Sequence, residues 1–194
     1  MISPSPSTTG LAITSLGSSC RTWGCRPRPG AGCRSAYSGD GYVVLYCYPR
    51  TGLPDQDPPG GLDAWDSIPG ARGCTPQACS YRDHHQELRE HGAQVFGLST
   101  QTPEYQRKMA SRLHLPFEVL SDARLEFARA LQLPTFTVAG IEVIRRLTLI
   151  ARAGRIETYF YPVFPPDADA GRVLEWLARH PLASAHSASS ENMR

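Results

Sequence analysis

The residues Tyr42-Val43-Val44-Leu45-Tyr46-Cys47-Tyr48 form an uncharged run of β-branched, aliphatic and aromatic side chains that ends at Pro49. A run this short and this apolar suits a strand covered on both faces. It commits the chain to a sheet with further layers packed above and below it. The next segment is of the opposite kind. Residues 50–73 carry Pro54, Pro58, Pro59 and Pro69 among several glycines, so they read as a loop without room for a helix or strand of normal length. A loop of that length inside a compact domain is uncommon and tends to be functional. Trp65 and Ile68 are its expected anchors.

The loop ends at Gly73-Cys74-Thr75-Pro76-Gln77-Ala78-Cys79, followed by Ser80-Tyr81-Arg82-Asp83. Pro76 suits a helix start and Gly92 a helix stop, which predicts a helix over residues 75–90. A thiol at the first turn of a helix meets unpaired backbone N–H groups and the positive end of the dipole. Both favour the thiolate, the reactive form of cysteine. Cys79 then gives Cys74 a neighbour with which to form a disulfide, and the pair reads as redox chemistry.

Further along, residues 94–99 read as a second strand. Thr102 and Pro103 read as the N-cap and first position of a helix running to about residue 113. Ser121-Asp122 should cap another helix ending near residue 131. Residues 141–150 and 155–161 should pair as an antiparallel hairpin about Ala153-Gly154. A last helix over residues 169–179 sets Val173, Leu174 and Leu177 on one face. Alternating strands and helices followed by a hairpin predict an α/β domain, with a mixed central sheet and helices on both faces.

The 194 residues fit one such domain with appendages. Residues 1–40 are rich in Ser, Gly, Pro, Thr and Arg and read as a disordered or poorly specified N-terminal segment, with at most a short hairpin between Ser5 and Leu16. The folded domain is expected over residues 41–180 and a flexible tail over 181–194. The net charge of +2 conceals an asymmetry. Four of the 20 basic residues precede residue 40, where there is no acid, so 16 basic residues face 18 acidic ones in the rest. A near-neutral body offers no electrostatic case for nucleic acid or an anionic membrane, and no apolar run approaches the ~18–20 residues of a membrane span.

The six cysteines are Cys20, Cys25, Cys33, Cys47, Cys74 and Cys79. An even count can signal a secreted disulfide framework. The chain is long enough to build a core without one, and no basic stretch followed by an apolar one stands after Met1. A reducing, cytoplasmic setting is therefore expected, in which paired cysteines are usually catalytic or redox-sensing. Cys47, inside an apolar strand, reads as an inert core thiol. Cys20, Cys25 and Cys33 match no zinc spacing, and neither metal nor cofactor is expected. His84, His85 and His91 lie on a helix rich in Arg, Glu and Gln and read as a solvated face. Arg82 and Asp83 read as a brace for that helix, and Trp65, Phe117 and Phe164 as packing residues.

Taken in order, Val44 to Arg50, Gly73 to Asp83, Val95-Phe96-Gly97-Leu98-Ser99-Thr100, Pro116-Phe117 with Leu120-Ser121-Asp122, and Arg146-Leu147-Thr148 before Gly154 resemble the peroxiredoxins. The class most similar is the Q-type, also called bacterioferritin comigratory protein, and the likeness covers roughly residues 42–180. The resemblance implies a thioredoxin-like fold and reduction of hydrogen peroxide and organic hydroperoxides. Cys74 would be the peroxidatic cysteine and Cys79 the resolving one. Arg146 would support the thiolate and the peroxide oxygens, although a one-residue slip would give that role to Arg145. Pro49, Thr51, Gly73 and Phe117 would border the substrate pocket, and thioredoxin or a similar dithiol would recycle the disulfide in a monomer or weak dimer.

The chain departs from the family in three respects, one of them that the N-terminal hairpin usual there is not recognisable in residues 1–40. The family carries a threonine three residues before the peroxidatic cysteine, where this chain has Ala71, and residues 52–72 read as an insertion. Thr51 would have to fold back to supply the missing hydroxyl. That departure keeps a second expectation open, a non-enzymatic thiol switch or binding protein on the same fold. Five residues along an ideal helix separate two Cα atoms by about 8.6 Å, whereas a disulfide needs roughly 4.4–6.8 Å. Joining Cys74 to Cys79 would therefore require the first turn of their helix to unwind.

Overall fold

The computed structural model describes residues 41–53 and 56–182. The N-terminal segment, with the short hairpin expected there and with Cys20, Cys25 and Cys33, lies outside the described residues, as does the tail from residue 183. Among the described residues, seven strands and six helices follow in order. They are β1 (Tyr42–Cys47), α1 (Gly61–Asp66), α2 (Cys74–Asp83), α3 (His85–Glu90), β2 (Ala93–Ser99), α4 (Pro103–Arg112), β3 (Val119–Ser121), α5 (Glu126–Ala130), β4 (Thr135–Val138), β5 (Ile141–Ile144), β6 (Leu147–Arg152), β7 (Arg155–Phe160) and α6 (Asp169–Arg179), with a 3-10 turn at Pro166–Ala168 before the last. No described helix is long and apolar enough to cross a membrane.

The main sheet has the order β3-β2-β1-β6-β7. β1 runs parallel to β2 and antiparallel to β6, β2 is parallel to β3, and β6 and β7 form an antiparallel hairpin. β1 lies at the centre, as its apolar sequence demands, and its side chains alternate between two cores. Tyr42, Val44, Tyr46 and Tyr48 face Ala78 and Tyr81 of α2, Leu88 of α3, Met109 of α4, and Val173 and Leu177 of α6. Leu45 and Cys47 face Phe96, Leu98, Leu147 and Leu149 together with Phe127 and Ala128 of α5. The expected mixed sheet with helices on both faces is present.

The cap at α4 is as expected, with Thr102 accepting a hydrogen bond from the Tyr105 N–H at 3.3 Å and Pro103 at the first position. Asp122 caps α5 from outside, its carboxylate accepting from the N–H groups of Phe127 and Ala128 at 3.1 and 2.9 Å.

Three expectations are corrected. The helix expected over 75–90 is two, α2 and α3, broken at His84. The His84 N–H donates to Ser80 O at 3.1 Å, its ring Nδ1 lies 2.9 Å from the same oxygen, and Leu88 N donates to His84 O at 3.0 Å. The hydrogen-bond ladder thus runs through a kink. The loop 50–73 does hold a helix, the six-residue α1. Trp65 is buried there against Ala71, Val138 and the ring of Phe136, so the expected anchor is real but fastens a helix, and the half-buried Ile68 packs beside it. The strand expected over 141–150 is also two. β5 pairs with β4 in a separate hairpin, β6 joins the main sheet, and the chain changes partners at Arg145-Arg146. Two charged residues between the buried Ile144 and Leu147 mark that switch.

Candidate active site

Cys74 is the first residue of α2 and only 4% exposed. The residue before it, Gly73, has φ +93°, a left-handed conformation that turns the incoming loop into the helix axis and favours glycine. A Cβ on Gly73 would also lie 2.5 Å from Pro166 Cγ, so the loop here touches the turn preceding α6. Helix geometry leaves the first-turn N–H groups of Cys74 and Thr75 without intrahelical acceptors, and Pro76 has none to offer.

The second component arrives from the strand switch. Arg146 is 3% exposed, and its Nη2 donates to Cys74 Sγ at 3.3 Å. Nη2 also donates to Gly70 O at 3.2 Å and Arg72 O at 2.7 Å, while Nη1 donates to Gly73 O at 3.4 Å and to Gln77 Oε1. The guanidinium therefore gathers the carbonyls of the loop that delivers Cys74, and one of its nitrogens faces the sulfur as well. Its buried Nε has no partner among the described residues. Arg145 goes elsewhere, over the ring of Phe136 with 5.1 Å from Cζ to the centroid. Of the two candidate arginines, Arg146 is the one at the sulfur.

Behind Arg146 lies a layer that sequence reasoning missed. Gln77 accepts from Arg146 and donates through Nε2 to Asp169 Oδ2 at 2.8 Å. The same carboxylate oxygen accepts from the hydroxyls of Tyr81 at 2.9 Å and Thr148 at 2.7 Å. Asp169 is fully buried at the first residue of α6, and its Oδ1 has no partner among the described residues. Burial pushes its carboxyl above the ordinary carboxylate value, opposed by the donors from Thr148, Gln77 and Tyr81 and by the charge of Arg146. Gln77 could have been suspected, because three residues after Cys74 it returns to the same helix face. Nothing local marks Asp169, which is 92 positions away from its partner.

Cys79 is half-buried in the second turn of α2, and it and Cys74 are both free thiols. Since both lie within one continuous helix, the unwinding argument from ideal geometry applies to this structure. Arg82 joins Asp83 by an ion pair at 2.9 Å and donates to Leu113 O at 3.0 Å, which fixes the far end of α2. The expected brace is thus present.

The remaining pocket candidates divide. Gly73 is at the sulfur. Thr51 is buried but engaged elsewhere, since its hydroxyl donates to Gln101 Oε1 at 3.2 Å and its carbonyl accepts from Tyr105 OH at 2.7 Å. Cys74 Sγ also donates to the backbone carbonyl of Ala71 at 3.5 Å, and Thr51, bound to Gln101, does not replace the absent threonine. Pro49 is buried just beyond β1. Phe117 meets Tyr46 edge-on with centroids 5.9 Å apart, and Tyr46 stacks on Tyr81 at 4.4 Å. The cavity Phe117 lines, about 520 Å³, is shared with His85, Arg89, Pro116 and Glu118 and does not include Cys74.

Known proteins supply the comparison. The sequence profile of the Redoxin family matches residues 35–174. Peroxiredoxin Bcp of Escherichia coli K12 is 30% identical over 142 residues, covering 71% of this chain and 79% of that protein. The chloroplastic peroxiredoxin Q of Gentiana triflora is 27% identical over 135 residues, and the chain spans 54% of its length, about half. Among solved structures, peroxidoxin BcpB from Mycobacterium tuberculosis is 27% identical with a TM-score of 0.56, covering 72% of this chain and 80% of that one.

Proposed function

The chain belongs to the Redoxin family, as a peroxiredoxin of the Q and Bcp kind, and from that membership we propose that it is a thiol-dependent peroxidase acting through Cys74. The observation that carries the proposal is the Arg146 guanidinium donating to a sulfur seated at the start of α2. A charge-assisted donor and the helix terminus both favour negative charge at that atom. The Cys74 thiolate attacks the terminal oxygen of a hydroperoxide. An S–O bond forms, the O–O bond breaks, and the alkoxide or hydroxide leaves and takes up a proton. Arg146 is fit to hold both the sulfur and the departing oxygen, because its charge is permanent and its donors are several.

The product is a Cys74 sulfenic acid. Cys79 condenses with it once the first turn of α2 unwinds, forming the S–S bond and releasing water. The resulting disulfide would be strained, exposed and readily reduced by thioredoxin or a similar dithiol. The proposed catalytic domain is residues 41–180, working as a monomer or weak dimer in the cytoplasm.

Stopped-flow oxidation of the full chain by hydrogen peroxide tests the assignment. Cys74→Ser should abolish the fast reaction. Cys79→Ser should keep it but yield no disulfide and no turnover with a dithiol. Fast oxidation persisting in Cys74→Ser overturns the assignment.

One observation favours a second reading. Where the resemblance calls for a hydroxyl, Ala71 offers Cys74 only a backbone carbonyl, and Thr51 is bound to Gln101. A thiol switch on this scaffold would oxidise slowly and stoichiometrically, without sustained turnover in the presence of a dithiol reductant.

A further inference from the structure

α2 is fastened along one side to a short segment far away in sequence. Gln77 Nε2 donates to Asp169 Oδ2 at 2.8 Å, Ser80 Oγ to Asp167 O at 2.6 Å, and Tyr81 OH to Asp169 Oδ2 at 2.9 Å. Gly73, just before the helix, packs on Pro166 of the same segment. Residues 166–169 thus hold α2 from the glycine before it to Tyr81, and Gln77 lies in the part that must come apart before Cys79 can reach Cys74. The proposed chemistry leaves the buried Asp169 without a role.

We propose that Asp169 is a positioning residue that latches the first turn of α2 through Gln77, and so sets how fast the Cys74 sulfenic acid is resolved by Cys79. The proposal rests on the redox reading of the two cysteines. Unwinding residues 74–79 carries Gln77 away from Asp169 and from Arg146. It leaves Thr148 on β6 and Tyr81 on the end of α2 held by Arg82, so the carboxylate stays buried with one donor fewer. Removing a donor from a buried charge costs far more than removing it from a neutral acceptor. The charge on Asp169 therefore favours the wound helix.

Two fates compete for the sulfenic acid. In one, the Cys79 thiol displaces hydroxide, the S–O bond breaks, an S–S bond forms, and water leaves with the thiol proton. In the other, a second hydroperoxide oxidises the same sulfur to sulfinic acid and is itself reduced to an alcohol or water. A tighter latch slows the first fate and leaves more time for the second.

Asp169→Asn keeps the shape and an acceptor oxygen but removes the charge. Ser80→Ala removes a separate fastening, to Asp167 O, and serves if the Asn variant does not fold. After one equivalent of hydrogen peroxide, disulfide formation in Asp169→Asn should be on the order of tenfold faster, the size expected when a charge-assisted hydrogen bond becomes a neutral one. The sulfinic fraction at high peroxide, read by mass spectrometry, should fall, and amide exchange of residues 77–80 in the reduced protein should rise. Ser80→Ala should shift all three the same way by less. Folded variants with unchanged or slower resolution and unchanged exchange overturn the latch. Should peroxide fail to oxidise wild-type Cys74, the peroxidase reading falls on its own. The latch is then read from amide exchange and from the rate of Cys74–Cys79 disulfide formation driven by diamide, neither of which needs the peroxide step.

Discussion

Cys47 and Cys74 are both buried, the first fully and the second to 4% exposure, yet their surroundings differ in kind. Cys47 ends β1 on the face packed with Leu45, Phe96, Leu98 and Leu147. Burial pushes its thiol far above the ordinary cysteine range, and the nearby charge of Asp122 adds to the effect. Cys74 sits on the opposite side of the sheet, beneath Tyr46 and Tyr81, at a helix start and beside a guanidinium. Exclusion from water is common to both thiols and makes neither of them reactive. The difference lies in which donors the fold aims at the sulfur.

The sharpest way to break this contrast is to remove each thiol in turn. Cys74→Ser should eliminate rapid oxidation by peroxide, as followed by intrinsic fluorescence in a stopped-flow instrument. Cys47→Ala should leave that rate within about twofold of wild type and lower stability by about 1–2 kcal/mol, the scale of a small cavity in a packed core. A Cys47 variant with impaired oxidation would mean that the two faces of the sheet are coupled. Next in size is Arg146→Met, which removes the charge and the donors while retaining much of the stem. The bimolecular rate of Cys74 oxidation should fall by about 10²–10³, the usual effect of losing a positioned donor to developing charge. A loss of less than about threefold would leave the helix terminus alone responsible for reactivity.

Local patterns were legible in the sequence on both faces of the sheet. The strand from Tyr42, the turn at Ala153-Gly154 and the apolar stripe of α6 are local patterns, and each is present where it was expected. So were Cys74 and Cys79 as a pair on one helix. What the sequence could not show was long-range. Arg146 takes its place because the strand changes partner beside it, and the strand-like residues on either side of Arg145-Arg146 read in the sequence as one strand from Ile141 to Ile150. Thr51 would have had to fold back toward the cysteine to supply the missing hydroxyl, but Gln101, fifty residues later, holds it. Asp169 reads as an ordinary acid in the first turn of a helix, and only the fold reveals three donors converging on it. Periodicity shows which side of an element is buried. It is silent about which buried polar groups will meet.

A smaller perturbation tests how rigidly the reactive side must be built. Gly73→Ala asks a residue with a Cβ to hold φ +93° and to share space with Pro166. The backbone term alone should cost about 1–3 kcal/mol, lowering Tm, and any relaxation should move the loop carbonyls that Arg146 gathers. A slower oxidation of Cys74 in a folded protein is therefore expected alongside the loss of stability. Gly140, with φ +76° in the β4–β5 turn and open space where a Cβ would go, provides the control. Gly140→Ala should cost stability through strain alone and leave the oxidation rate untouched. Equal effects of the two substitutions on that rate would show that the turn into α2 has no special geometric demand.

The smallest effect belongs to the quiet face and concerns pH. Asp122 is buried, and desolvation raises its carboxyl above the ordinary 3.8, opposed by the N–H groups of Ala128 and Phe127 that it caps. A carboxyl whose folded value lies above its unfolded one binds its proton more tightly in the folded state. Its contribution to stability is complete below about pH 3.8 and is lost as pH rises through the higher folded value. Asp122→Asn, which still offers α5 an acceptor, removes that titration. The stability of wild type relative to the variant, measured by urea unfolding at a series of pH values, should therefore decline as pH rises from about 4 toward neutrality. The oxidation rate of Cys74 should not follow, because Asp122 serves a helix on the other side of the sheet. A difference that grows with pH would mean that the two capping bonds outweigh burial. A change in the oxidation rate would mean that the face of Cys47 reaches across β1 to the face of Cys74.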